Sequence, residues 1–119
     1  MLLSVDCSTE ADTADITAHG EIDLATVNTL RSAITKAMQA GANHLTLNLN
    51  TVTYIDSSGL GTLIGAHKRL ASSGGTLTVR CTQARILRLL SITGLDRVLT
   101  VVAHDDAYDA VGLTEATSA

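Results

Sequence analysis

The sequence predicts an α/β fold: a sandwich built on a mixed sheet of four to five strands that opens with a hairpin, with about four helices. Three observations predict it. Segments with apolar residues at every second position alternate along the chain with segments whose apolar residues recur three and four apart, the periods of strand and helix. Helices between successive strands are what parallel pairing requires, because a parallel crossover needs a dozen or more residues, whereas the first two strands are joined by a short polar stretch and must run antiparallel. Finally, 119 residues with no proline, no block of like charge and no internal repeat hold one core and no linker. Residues 1–119 therefore read as a single domain, with 116–119 as a frayed tail.

Leu3 to Ser8 and Asp15 to His19 read as strands joined by Thr9-Glu10-Ala11-Asp12-Thr13. Leu24, Val27, Leu30, Ile34, Ala37 and Met38 then fall on one helical stripe, with Asp23 placed to cap the start and Gly41 to end it. Leu45, Leu47 and Leu49 alternate with Thr46 and Asn48, a strand showing leucine to the core. After a loop, Leu60, Leu63, Ile64, His67, Leu70 and Ala71 mark a second helix, stopped by Gly74-Gly75. Thr76 to Cys81 reads as a strand, Ala84 to Ile92 as a helix closed by Gly94, Val98 to Val102 as a strand and Asp105 to Leu113 as a last helix.

Composition narrows the function. Hydrophobic residues make up 45% and charged residues 17%, which is the balance of a folded domain rather than a disordered chain. Tyr54 and Tyr108 are the only aromatic residues, so there is no platform for stacking bases. A net charge of −4 argues against binding a phosphate backbone, and direct contact with nucleic acid is not expected. No apolar run approaches the roughly 20 residues that span a bilayer, and Met1-Leu2-Leu3-Ser4-Val5-Asp6 lacks a basic leader and a cleavage site. The expected location is cytoplasmic, with no membrane partner. Cys7 and Cys81 form no CxxC pair and no disulfide framework, and both are expected to be reduced.

One segment carries chemistry. Tyr54-Ile55-Asp56-Ser57-Ser58-Gly59-Leu60-Gly61 lies where a strand gives way to a helix, whose first backbone N–H groups have no acceptor within the helix. Asp56 or Ser57 can cap them, and a helix N-terminus favours an anion such as a phosphate. Asp-Ser ahead of a helix is also a routine cap, so local chemistry alone leaves a structural reading open. The glycines tilt the balance, because each costs roughly 1 kcal/mol against alanine if it merely fills a helix. Their presence implies a start kept uncrowded for the sheet or for a partner.

The segment Asp56-Ser57-Ser58-Gly59-Leu60-Gly61 resembles the signature of the STAS domain family, and within it the bacterial anti-sigma factor antagonists, whose loop reads Asp-Ser-Ser/Thr-Gly-Leu/Val-Gly. Gly20-Glu21-Ile22-Asp23 resembles the family's turn before its first long helix, and Leu89-Leu90-Ser91-Ile92-Thr93-Gly94-Leu95 its helix ending in a Gly-Leu pair. The likeness runs from about residue 3 to 112. The departures are the missing Phe and Pro that relatives often carry, and a serine pair that blurs which hydroxyl is modified.

The resemblance implies a STAS-type sandwich and partner switching. The unphosphorylated protein would bind an anti-sigma factor that is also a serine kinase, freeing a sigma factor, and the kinase would then phosphorylate its own antagonist. By position the acceptor falls on Ser57. Asp23, Thr26, Asp56, Ser58, Gly59 and Gly61 would line or shape the partner surface, and a serine phosphatase would be a further partner. The resemblance implies no cofactor, metal or catalytic residue.

Two other classes compete. Ser57, His67 and several aspartates are raw material for a nucleophilic triad, but Ser57 lacks the Gly-x-Ser-x-Gly elbow and His67 lies roughly three helical turns away on or beside the apolar stripe. His19, His44 and His104 are scattered without a ligand spacing, and there is no Walker-type loop. A STAS module could instead act as a nucleotide or small-ligand sensor or as a scaffold subunit. A chain without a span or linker disfavours a transporter's cytoplasmic piece. Lys68, Arg69, Arg85 and Arg88 read as solvated helix faces, and Asp105 and Asp106 as complements to a helix dipole.

Overall fold

The computed structural model describes residues 2–103. They form a five-stranded sheet in sequential order, β1 (Leu3–Glu10), β2 (Thr13–Ile22), β3 (His44–Ile55), β4 (Thr76–Arg80) and β5 (Thr100–Val102). β1 pairs antiparallel with β2, and every later pairing is parallel. The crossovers are α1 (Val27–Gln39), α2 (Ser57–Ser72) and α3 (Ala84–Ile92), with a 3₁₀ turn at Leu95–Arg97 before β5. The helix expected over 105–113 and the tail lie outside the described residues.

The two periodicities build one core. Ala14, Ile16 and Ala18 of β2, Leu45, Leu47 and Leu49 of β3, and Leu77 and Val79 of β4 are buried together with Val27, Leu30, Ile34 and Ala37 of α1 and Leu60, Leu63, Ala66 and Leu70 of α2. Strand alternation aims one face of the sheet at the apolar stripes of two neighbouring helices. Gly41 and Gly74, at φ 105° and 78°, take the left-handed conformation that ends α1 and α2.

Several boundaries differ from the sequence reading. The hairpin connection is tighter, because Glu10 pairs with Thr13 and only Ala11 and Asp12 turn, Ala11 at φ 56°. β3 continues six residues past Leu49, to Ile55, instead of yielding to a loop. Leu49 and Val52 are both buried although three apart, which breaks strict alternation, and the ladder to β2 slips between Thr17 and His19 and between Gly20 and Glu21. The polar residues that suggested a loop are stitched locally: Asn50 accepts from the Thr82 amide at 2.8 Å, and Gln83 donates to the carbonyls of Asn50 and Val52.

α1 begins at Val27 rather than Leu24, because residues 24–26 form a turn that leaves Leu24 79% exposed. Ala71, placed by spacing on the α2 stripe, is exposed, and His67 is half-buried at its boundary. Cys7 is exposed on the edge strand and Cys81 is buried beyond β4, with two strands between them, so the thiols do not meet. Burial pushes the Cys81 thiol above its ordinary pKa, which keeps it protonated and unreactive near neutrality.

Candidate functional site

The C-terminal ends of the parallel neighbours β2 and β3 bring two turns together. Ile22 pairs with Ile55, and the Asp56 amide donates to the Ile22 carbonyl at 3.1 Å, so Asp23 and Asp56 leave the sheet side by side. Asp56, extended at φ −109° and ψ −171°, caps α2. Its Oδ1 accepts from the Ser58 amide at 2.9 Å, the Gly59 amide at 3.3 Å and the Ser58 hydroxyl at 2.5 Å. Its Oδ2 accepts from the Leu24 amide at 3.2 Å. One carboxylate thus ties the helix start to the neighbouring turn.

These bonds favour the ionised form. The Ser58 hydroxyl is the largest influence, desolvation opposes it as the next largest, and the amides of Gly59, Ser58 and Leu24 add to the hydroxyl, so that the Asp56 carboxyl lies below the usual carboxylate range. The anion seat expected at the start of α2 is therefore occupied by Asp56 itself.

The second turn is pinned by Thr26. Its hydroxyl donates to the Glu21 carbonyl at 2.8 Å and accepts from the Asp23 amide at 3.0 Å, and the side chain is 9% exposed. Asp23 Oδ1 accepts from the amides of Ala25 and Thr26, each at 3.0 Å. Asp23 organises the turn ahead of α1 instead of capping the helix, whose N-cap is Thr26 with no side-chain cap bond. Thr26 faces inward and holds Asp23 in place, contrary to a lining role at the surface.

The serine pair is separated by these contacts. Ser58 is engaged with Asp56, whereas Ser57 is exposed and, among the described residues, no hydrogen bond holds its hydroxyl. The two glycines differ as well. A Cβ on Gly59 would lie 2.6 Å from Ile55 Cγ1 and 2.7 Å from Ile22 Cγ2, so its absence lets α2 close onto the sheet beneath the site. Gly61 is exposed, and a Cβ there would meet nothing within 4 Å. Internal packing explains Gly59 and leaves Gly61 unexplained.

The site carries apolar surface that spacing missed. Leu24, 79% exposed, sits on the turn bonded to Asp56, and Tyr54, 46% exposed, precedes Ile55 and Asp56. Tyr54 and Ile55 share an apolar groove of about 310 Å³ with Ile86, Leu89 and Ile92 of α3. Leu24 was hidden because its spacing fits the α1 stripe; only the turn at 24–26 turns it outward. His67 lies ten residues beyond Ser57 on the same helix, about 15 Å along its axis, too far to serve as its base.

Comparison with known proteins places this geometry. Residues 5–108 match the model of the STAS domain. The chain is 31% identical over 106 residues to the anti-sigma-B factor antagonist of Bacillus subtilis, covering 89% of this chain and 96% of that protein. It is 34% identical over 101 residues to the anti-sigma-B factor antagonist of Staphylococcus aureus, covering 85% and 94%. The crystal structure of an anti-sigma factor antagonist from Mycobacterium paratuberculosis superposes with a TM-score of 0.79 at 25% identity, covering 92% of this chain and 94% of that one.

Proposed function

The chain belongs to the STAS domain family, and from that premise we propose that it is an anti-sigma factor antagonist whose unphosphorylated form binds an anti-sigma factor with serine kinase activity. Phosphorylation of Ser57 ends the binding, and a serine phosphatase restores it. The observation that carries this reading is the contrast within the serine pair: Ser58 is held by Asp56 at 2.5 Å, while Ser57 presents a free hydroxyl at the head of α2.

The switch is electrostatic and steric. A phosphoserine adds about −1.5 to −2 charges near neutral pH. Here it adds them beside an Asp56 carboxylate kept ionised by its hydrogen bonds, at the head of the helix that carries Ser58 and Gly61 and next to the residue that bonds the Leu24 turn. A partner packed against that surface loses a desolvated contact and meets new charge. A change of about 3–4 kcal/mol weakens binding a hundred- to a thousand-fold. No refolding is required, since Ser57 already stands outside the core.

Purified chain, an anti-sigma factor kinase from the same genome and ATP decide the acceptor. Peptide mass mapping is expected to place one phosphate on Ser57, to find none in Ser57→Ala and to find it retained in Ser58→Ala. Phosphate on Ser58, or incorporation that persists in Ser57→Ala, overturns the assignment.

A further inference from the structure

A second feature lies along the side of α2, away from the cap. Arg31 of α1 reaches across to Thr62 of α2, Nη2 to Oγ1 at 3.3 Å, and Arg69 of α2 reaches back to Thr35 of α1, Nη1 to Oγ1 at 3.5 Å. The two guanidinium groups bracket a groove of about 260 Å³ between the parallel helices, with Gly61, Gly65 and Ala66 along its α2 side. Among the described residues the ion pairs are His19 with Asp6 and His44 with Asp12, so neither guanidinium faces a carboxylate. Both side chains are exposed, and among the described residues their guanidinium groups bond to the neutral oxygens of Asn28, Thr62 and Thr35, which leaves their charge open to an acidic group from outside.

The glycines point the same way. Like Gly61, Gly65 would place a Cβ with nothing within 4 Å, and each costs roughly 1 kcal/mol against alanine in a helix interior. Spaced four apart, they keep one face of α2 flat where the groove runs, so that another backbone can approach closely. Among the described residues, nothing fills that space.

We propose that the groove between α1 and α2 receives an acidic helix of the anti-sigma partner, with carboxylates one to two turns apart on Arg31 and Arg69 and its backbone seated against Gly61 and Gly65. Guanidinium forks recognise carboxylates in a planar, two-bond geometry that lysine cannot match. The groove is continuous with the cap, since Gly61 lies one turn after Ser57 on α2. This inference rests on the antagonist reading and extends its contact surface along α2, giving specificity among partners to residues remote from the phosphorylated serine.

The test is titration calorimetry of the purified anti-sigma factor kinase into the intact chain and three variants. Arg31→Glu with Arg69→Glu is expected to weaken binding about tenfold or more by placing like charges opposite the partner's carboxylates. Gly65→Leu, which strengthens the helix while filling the groove, is expected to weaken it similarly with an unchanged or raised Tm, so misfolding does not account for the loss. Ser57→Asp serves as the control for the cap. Undiminished binding by both groove variants, with binding lost in Ser57→Asp, overturns the groove and leaves the antagonist reading standing. No binding by the unaltered chain removes both. A dimer of the chain alone that the arginine substitutions dissociate assigns the groove to a second copy and also overturns the proposal.

Discussion

At the scale of single residues, the site works because one carboxylate does three tasks. Asp56 caps α2, fixes the Ser58 hydroxyl and holds the Leu24 amide of the adjacent turn. Its role is legible in acid. Because its pKa is depressed in the folded state, the stability it contributes is present above the unfolded value near 3.9 and is lost as pH falls through the lower folded value. Urea unfolding of the wild type is expected to show a loss of stability from about pH 4 downward that is shallower in Asp56→Asn. Equal slopes for the two proteins would mean that the carboxylate is not held in its ionised form. That Asp56 or Ser57 caps the start of α2 was legible in the sequence; that Asp56 is the one that does so, and fills the anion seat expected there, was not. Which serine is free was not, because it depends on where the Ser58 hydroxyl points, and adjacent residues of one type carry no spacing signal.

At the scale of elements, the first two of the three glycines of α2 have different reasons, and substitution separates them. Gly59 is pressed against Ile22 and Ile55, so Gly59→Ala is expected to cost about 1–3 kcal/mol through overpacking. Gly61 faces open space, so Gly61→Ala is expected to stabilise by roughly 0.5–1 kcal/mol through helix propensity alone. Thermal unfolding reads both signs, and destabilisation by Gly61→Ala would show that internal packing, and not a partner, keeps that position empty. The order and type of the elements through β5 followed from periodicity, and Gly41 and Gly74 marked helix ends correctly. What periodicity missed were departures from it. β3 runs on to Ile55 because a ladder irregularity lets Leu49 and Val52 both face inward. Leu24 keeps helical spacing yet sits in a turn held by the carboxylates of Asp23 and Asp56. Arg69 read as part of a solvated helix face and Arg31 drew no attention; that Arg69 reaches Thr35 and Arg31 reaches Thr62 follows only from α1 and α2 lying side by side.

At the scale of the molecule, the parallel sheet is a rigid base that delivers the β2–α1 turn and the start of α2 to the same end, with a core of leucine, isoleucine, valine and alanine beneath them. Ser57 stands outside that core, so a phosphate placed on it is expected to change the surface while the fold persists. This separates a partner switch from a switch that works by unfolding. The decisive comparison is the affinity of the anti-sigma factor kinase for the chain before and after stoichiometric phosphorylation at Ser57, measured by calorimetry with circular dichroism on the same samples. A hundred- to thousand-fold loss of affinity is expected on phosphorylation, with superimposable spectra; equal affinities for the two forms would rule out the partner switch.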